Sequence, residues 1–122
     1  MTQTQTDGQT IRPDELPEAV RAYLRTNRPG AKSDAAIGSF TEDAIVVDEG
    51  HTYRGHEQIA DWMRRAATEY TYTIELIGAR RIDADHWVAV HHLEGNFPGG
   101  VVDLQFKISM SGGLINRLVI EP

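Results

Sequence analysis

The chain contains no cysteine. Disulfide staples, thiolate catalysis and Cys-bound zinc are excluded by that absence alone. Basic charge is also scarce: 12 Lys and Arg stand against 18 Asp and Glu, a formal net charge of -6. An acidic domain repels a phosphate backbone, so nucleic acid is not an expected partner. The pairs Arg64-Arg65 and Arg80-Arg81 are too short to form a basic patch and read as solvated side chains. No apolar run approaches the ~20 residues that a membrane-spanning helix needs, so no membrane partner is expected. The segment Met1–Thr10 is rich in Thr and Gln and lacks the basic-then-apolar layout of a signal peptide. Residues 1–12 are therefore expected to be a disordered polar tail, and the cytoplasm is the expected location.

What is present suits one domain, over residues 13–122. Of 122 residues, 40% are hydrophobic and 25% charged, enough for a single core in which any large pocket takes up much of the interior. Leu16, Val20, Tyr23, Leu24 and Asn27 form one amphipathic helical stripe, which Asp14 is placed to cap, with Pro17 in the first turn. Pro29-Gly30 stops it. Ser33 or Asp34 caps a short second helix that ends near Phe40, and Thr41 to Asp43 reads as a turn. Ala44 to Asp48 is a strand broken by Glu49-Gly50. A third helix carries Ile59, Trp62, Met63 and Ala66 on one face.

The period then changes from 3.6 to 2. Tyr70, Tyr72, Ile74 and Leu76 alternate with polar residues; a second strand runs from about His86 to Asn96; and Val102, Leu104, Phe106, Ile108 and Met110 mark a third. Gly112-Gly113 supplies the positive φ of a tight hairpin into the last strand, Leu114 to Glu121. Strands joined by short turns pair antiparallel, and the helices are the available cover for one sheet face. The expected fold class is α+β: a cone-shaped, curved antiparallel sheet wrapped around three helices of the N-terminal half.

Four segments resemble one known family. Phe40–Gly50, Tyr53–Ile59, Glu94–Leu104 and Gly113–Pro122 look like corresponding stretches of SnoaL-like proteins in the nuclear transport factor 2-like superfamily, and the resemblance runs from about Leu16 to the end. That superfamily includes ketosteroid isomerase-like enzymes, polyketide cyclases, dehydratases, epoxide hydrolases and members without chemistry. Fold alone does not choose among them. The resemblance implies an apolar pocket opening near Asp48, a small apolar molecule as partner, and a homodimer through the sheet. No cofactor and no metal are expected.

The resemblance places Asp48 where ketosteroid isomerase-like members hold their general base. A carboxylate against the apolar strand Ile45-Val46-Val47 has the raised pKa that proton abstraction beside a carbonyl needs. Tyr23 resembles the tyrosine that donates to the oxyanion. The same site type uses a protonated aspartate on a later strand. Asp103 is near that place but out of phase with Leu104, Phe106 and Ile108, unless a bulge near Gly99-Gly100 turns it inward. His91 and His92 are adjacent on one strand, so one of them faces inward as a candidate acid or base. Phe40, Trp62, Met63, Tyr72, Leu104 and Phe106 are the expected wall. His51 and His56 flank a turn without zinc spacing. Two functions remain open: a cofactor-independent isomerase or cyclase that works by proton transfer, and a non-catalytic ligand-binding or dimerisation module.

Overall fold

The computed structural model describes residues 8–26 and 33–122. Proline decides where its first helix begins. The ring of Pro17 disfavours helical geometry in the residue before it, and Leu16 is extended, at φ -65 and ψ 149. A 3-10 turn, Pro13–Glu15, therefore stays separate from helix α1, Glu18–Thr26. The Pro17 carbonyl accepts from Arg21 N at 3.0 Å. This corrects the expected cap, because the Asp14 carboxylate accepts instead from Arg12 Nε at 3.2 Å. Helix α1 buries Ala19, Val20 and Tyr23, with Leu16 buried just ahead of it. Asn27, the Pro29-Gly30 stop and the side chains of Ser33 and Asp34 lie outside the described residues.

The expected second helix is a 3-10 helix, Ser33–Ser39. The third is α2, Gly55–Glu69, which buries Ile59, Trp62 and Met63 on one face as the spacing requires. Its free N-terminal end is met from the side: Gln58 Oε1 accepts from Arg54 N at 2.8 Å. No helix among the described residues is long and apolar enough to cross a membrane.

Seven strands form one open sheet. They are β1 (Gln9–Ile11), β2 (Phe40–Asp48), β3 (His51–Arg54), β4 (Tyr72–Asp83), β5 (His86–Gly95), β6 (Val101–Ser111) and β7 (Leu114–Glu121). Their order is β1-β4-β5-β6-β7-β2-β3. Neighbours pair antiparallel except β2 with β7, which run parallel. That pairing corrects the all-antiparallel expectation. It joins strands that are far apart in sequence, where no short turn dictates direction.

Two boundaries also move. Gln9–Ile11 pairs with Ala79–Arg81, so the expected tail is ordered at its inner end, where an exposed strand edge offers its backbone groups. Residues 1–7 lie outside the described ones. Thr41 to Asp43 is strand rather than turn, although irregular: Phe40 pairs with Ile115 while Ile45 pairs with Arg117, and the surplus residues are absorbed as a bulge.

The expected tight turn at Gly112-Gly113 has the required geometry, and the break expected at Glu49-Gly50 is a second one. Gly112 and Gly113 have φ of 60 and 82. Glu49 and Gly50, at 53 and 78, close the β2–β3 hairpin in the same manner. A bulge in β4 leaves Ile77 unpaired and 51% exposed. The core lies between the helices and the inner sheet face, where Val46, Ala89, Phe106, Ile108, Ile115 and Leu118 meet Val20, Tyr23, Ile59 and Met63. α1 packs on β7 and the 3-10 helix, and α2 packs on β2 and the same 3-10 helix.

Gly95 closes the end of this core by close approach of two backbones. A Cβ there would overlap the Thr71 carbonyl oxygen and stand 2.6 Å from Tyr72 Cβ. Gly95→Ala is expected to cost about 1–3 kcal/mol, the range for overpacking a filled site. Urea unfolding measures it, and an unchanged midpoint would contradict the tight approach.

Candidate functional site

Asp48 ends β2 in phase with Ala44 and Val46, both fully buried, so its side chain is carried to the inner face. The parallel register sets it beside Ile120 of β7. Trp62 of α2 donates its indole N–H to Asp48 Oδ2 at 3.0 Å. Burial is the main cause that pushes the Asp48 carboxyl above its ordinary 3.8. The Trp62 bond opposes this, Glu69 adds to it, and the Glu49 backbone and His51 oppose it. A half-buried carboxylate with one indole donor is a base with spare acceptor capacity.

Tyr23 is 1% exposed, and its hydroxyl has no partner among the described residues. Burial, then the charge of Asp48, then Tyr72 hold its pKa well above 10, so it is a neutral donor. Its ring meets Phe40 edge-on at 5.4 Å. Tyr72 is half-buried and raised by burial. Phe40, Met63 and Phe106 are buried core, and Leu104 packs partly buried against them.

The two histidines separate. His91 faces inward, 4% exposed, with its ring 4.4 Å from that of Phe106. Burial lowers it to about 4, so it is neutral at pH 7, and its Nδ1 has no partner among the described residues. His92 faces the other way. Its Nδ1 meets Asp103 Oδ1 at 2.6 Å and its Nε2 meets Glu94 Oε2 at 2.8 Å. The Glu94 bond, then the Asp103 bond, raise its pKa, and a ring between two carboxylates donates from both nitrogens when protonated. The register between β5 and β6 runs without a shift from His86–Ser109 to Glu94–Val101. No bulge there turns Asp103 inward. His92 and Asp103 are thus corrected out of the inner set, for the one reason that strand neighbours alternate in face.

His56 Nε2 lies 2.8 Å from the Phe40 carbonyl oxygen and His51 Nδ1 3.2 Å from that of Glu49, so each has a backbone partner. Among the described residues no group of three or more His, Asp or Glu side chains is placed to hold a metal ion. The residue pattern named Trp62 as wall and missed it as the partner of Asp48. The signal was present, since a buried indole N–H needs an acceptor. Also missed is a cavity of about 380 Å³ beside α1, bordered by His91, Leu16, Leu24, Ile74, Leu76, Arg21 and Arg25 but not by Asp48.

Two titrations follow. Trp62→Phe removes the donor that lowers the Asp48 carboxyl, so its titration by carboxyl NMR is expected to move further up from 3.8. A downward move would contradict burial as the leading cause. His91 binds fewer protons folded than unfolded. Its contribution to stability is full above its ordinary 6.5 and is lost as pH falls toward about 4. His92, clamped in its charged form, acts in the opposite sense and is unchanged in the comparison. The urea midpoint of His91→Phe is therefore expected to fall less across that window than that of the native chain; parallel profiles would contradict it.

No family model matches the chain, and no curated protein matches it. Solved structures do. The chain is similar to a candidate polyketide cyclase from Sinorhizobium meliloti, with TM-score 0.81, 29% identity, and 91% of this chain and 100% of that one covered. It is similar to a Catenulispora acidiphila protein of ketosteroid isomerase-like fold in complex with trimethylamine, with TM-score 0.74, 24% identity, and 88% and 86% covered. A candidate isomerase of the SnoaL-like family from Agrobacterium tumefaciens matches with TM-score 0.69, 18% identity, and 84% and 92% covered. The last two show likeness of fold.

Proposed function

We propose that this chain, whose fold is like that of the nuclear transport factor 2-like proteins among its structural neighbours, is a small-molecule pocket protein that performs cofactor-independent proton transfer on an apolar carbonyl compound. The observation that carries this reading is the pairing of a half-buried carboxylate of raised pKa, Asp48, with a buried tyrosine hydroxyl that has no partner among the described residues. Asp48 takes a proton from the carbon beside the carbonyl. The neutral Tyr23 hydroxyl donates to the oxygen as it becomes enolate, and Asp48 returns the proton to the rearranged carbon. The Trp62 bond steers the carboxylate and favours its ionised form against the effect of burial. A homodimer through the outer sheet face completes this reading. Its support is that Val88 and Val90 stand in phase with the outward His92, so the outer face of β5 is partly apolar.

A second reading, a non-catalytic binding module, is favoured by one observation: Asp103 bonds His92 on the outer face, leaving the inner set without a second acid. Two variants separate the readings. With a β,γ-unsaturated cyclic ketone as probe, Asp48→Asn is expected to lower isomerisation by roughly 10²–10⁴-fold while leaving binding. Tyr23→Phe is expected to lower it by roughly 10²–10³-fold, yet to gain about 1 kcal/mol of stability by removing an unpaired buried hydroxyl. No isomerisation by the native chain, or equal turnover in Asp48→Asn, would leave the binding module standing.

A further inference from the structure

The cavity beside α1 has an occupant written into its walls. α1 rests on β7 and the 3-10 helix Ser33–Ser39, and a space of about 380 Å³ remains between its flank and strands β4 and β5. At roughly 30 Å³ for each heavy atom, the share a water molecule takes in the liquid, that holds about a dozen atoms. Leu16 and Leu24 border it from the helix side, Ile74 and Leu76 from the sheet. His91, neutral and nine-tenths buried, adds a ring whose Nδ1 is sealed without a partner, which leaves Nε2 as the nitrogen able to meet a guest.

The charge at its border is uneven. Arg21, Arg25 and Asp14 belong to the lining, and Asp14 is drawn off by Arg12 at 3.2 Å. Arg21 is anchored by its Nε, which donates to the Leu16 carbonyl at 2.9 Å. Both guanidiniums then share one carboxylate: Glu18 takes Arg21 Nη2 at 2.9 Å and Arg25 Nη2 at 3.5 Å. Each guanidinium has five N–H donors, so most remain free for a second anion, and their planar forks fit a carboxylate with two parallel bonds.

We propose that this cavity binds an amphipathic monocarboxylate, its chain packed on Leu16, Leu24, Ile74 and Leu76 and its headgroup held by Arg21 and Arg25. The cavity does not border on Asp48, so the site is independent of the proton-transfer reading.

Octanoate and 1-octanol, titrated separately into the full chain by calorimetry, with the His91 ring signals followed by NMR, test this. Octanoate is expected to saturate and to bind at least about tenfold tighter than the alcohol, the equivalent of one charge-assisted hydrogen bond. The double variant Arg21→Gln/Arg25→Gln should erase that advantage and leave the alcohol unchanged. Ile74→Trp, which fills the space, should remove both ligands while circular dichroism stays native. Asp48→Asn should bind octanoate as the native chain does. Absence of saturable octanoate binding, equal affinity for the alcohol, or undiminished binding in the arginine double variant overturns the proposal. So does loss of octanoate binding in Asp48→Asn, which would put the guest at the other site. Failure of these arms leaves the ketone assay untouched, because that assay reads Asp48 and Tyr23, neither of which borders this cavity.

Discussion

The Trp62 indole N–H on Asp48 Oδ2, at 3.0 Å, ties α2 to the inner end of β2. An ionised carboxylate in an apolar interior without a donor takes up a proton instead. This bond moderates that tendency without abolishing it, because burial outweighs it in setting the Asp48 pKa. The donor is itself held in place. The Trp62 ring lies 6.0 Å from that of Tyr53, and Arg65 sits 5.4 Å over the other aromatic ring. A strand, a helix and a hairpin thus converge on one carboxyl group. Because the indole supplies a single bond, the carboxylate keeps lone pairs free for a proton or a guest.

Among the described residues, the buried polar atoms without a partner include the Tyr23 hydroxyl and the His91 Nδ1 of this interior. Each such group costs on the order of 1–3 kcal/mol, a large part of a total stability of about 5–15 kcal/mol. The packed cluster of Phe40, Ile59, Ile115 and Leu118 has to offset that cost. A core selected for stability alone would carry Phe and Leu at these positions. The same interior holds the raised Asp48 carboxyl and, beside His91, a cavity of about 380 Å³.

Much of the fold was legible because its signals are local and periodic. The alternation Val102–Met110 fixed which face of β6 is buried, and the stripe Ile59, Trp62, Met63 did the same for α2. Gly112-Gly113 announced its own turn. What was not legible depends on contacts between distant parts of the chain. The parallel pairing of β2 with β7 has no local signature, nor does the docking of Gln9–Ile11 on the edge of β4. The start of α1 was misread because Pro17, three places beyond the expected cap Asp14, was placed inside the first turn, whereas its effect on Leu16 sets the boundary. In the candidate site, the inward phase of Asp48 and the outward phase of Asp103 were readable from alternation. That Trp62 needs an acceptor was readable too, but not that Asp48 of another element supplies it.

Adjacent histidines on β5 show how far a single residue of phase reaches. His91 and His92 differ by one step along the strand, and the pleat sends them to opposite faces. The inner ring lies against Phe106, loses its hydration and is held neutral down to about 4. The outer ring finds Glu94 beside it on its own strand and Asp103 across the ladder, and retains its proton above its ordinary range. Identical side chains are therefore shifted in opposite directions, the inner one toward its neutral form and the outer one toward its charged form, with no difference in local sequence to separate them. A slip of one residue in the β5–β6 register would undo these surroundings: it would send His92 and Asp103 to opposite faces, because only residues directly opposite each other share one. The unbroken ladder from His86 to Glu94 is what prevents this, and so the backbone register, more than any single side chain, decides which titratable groups face the interior.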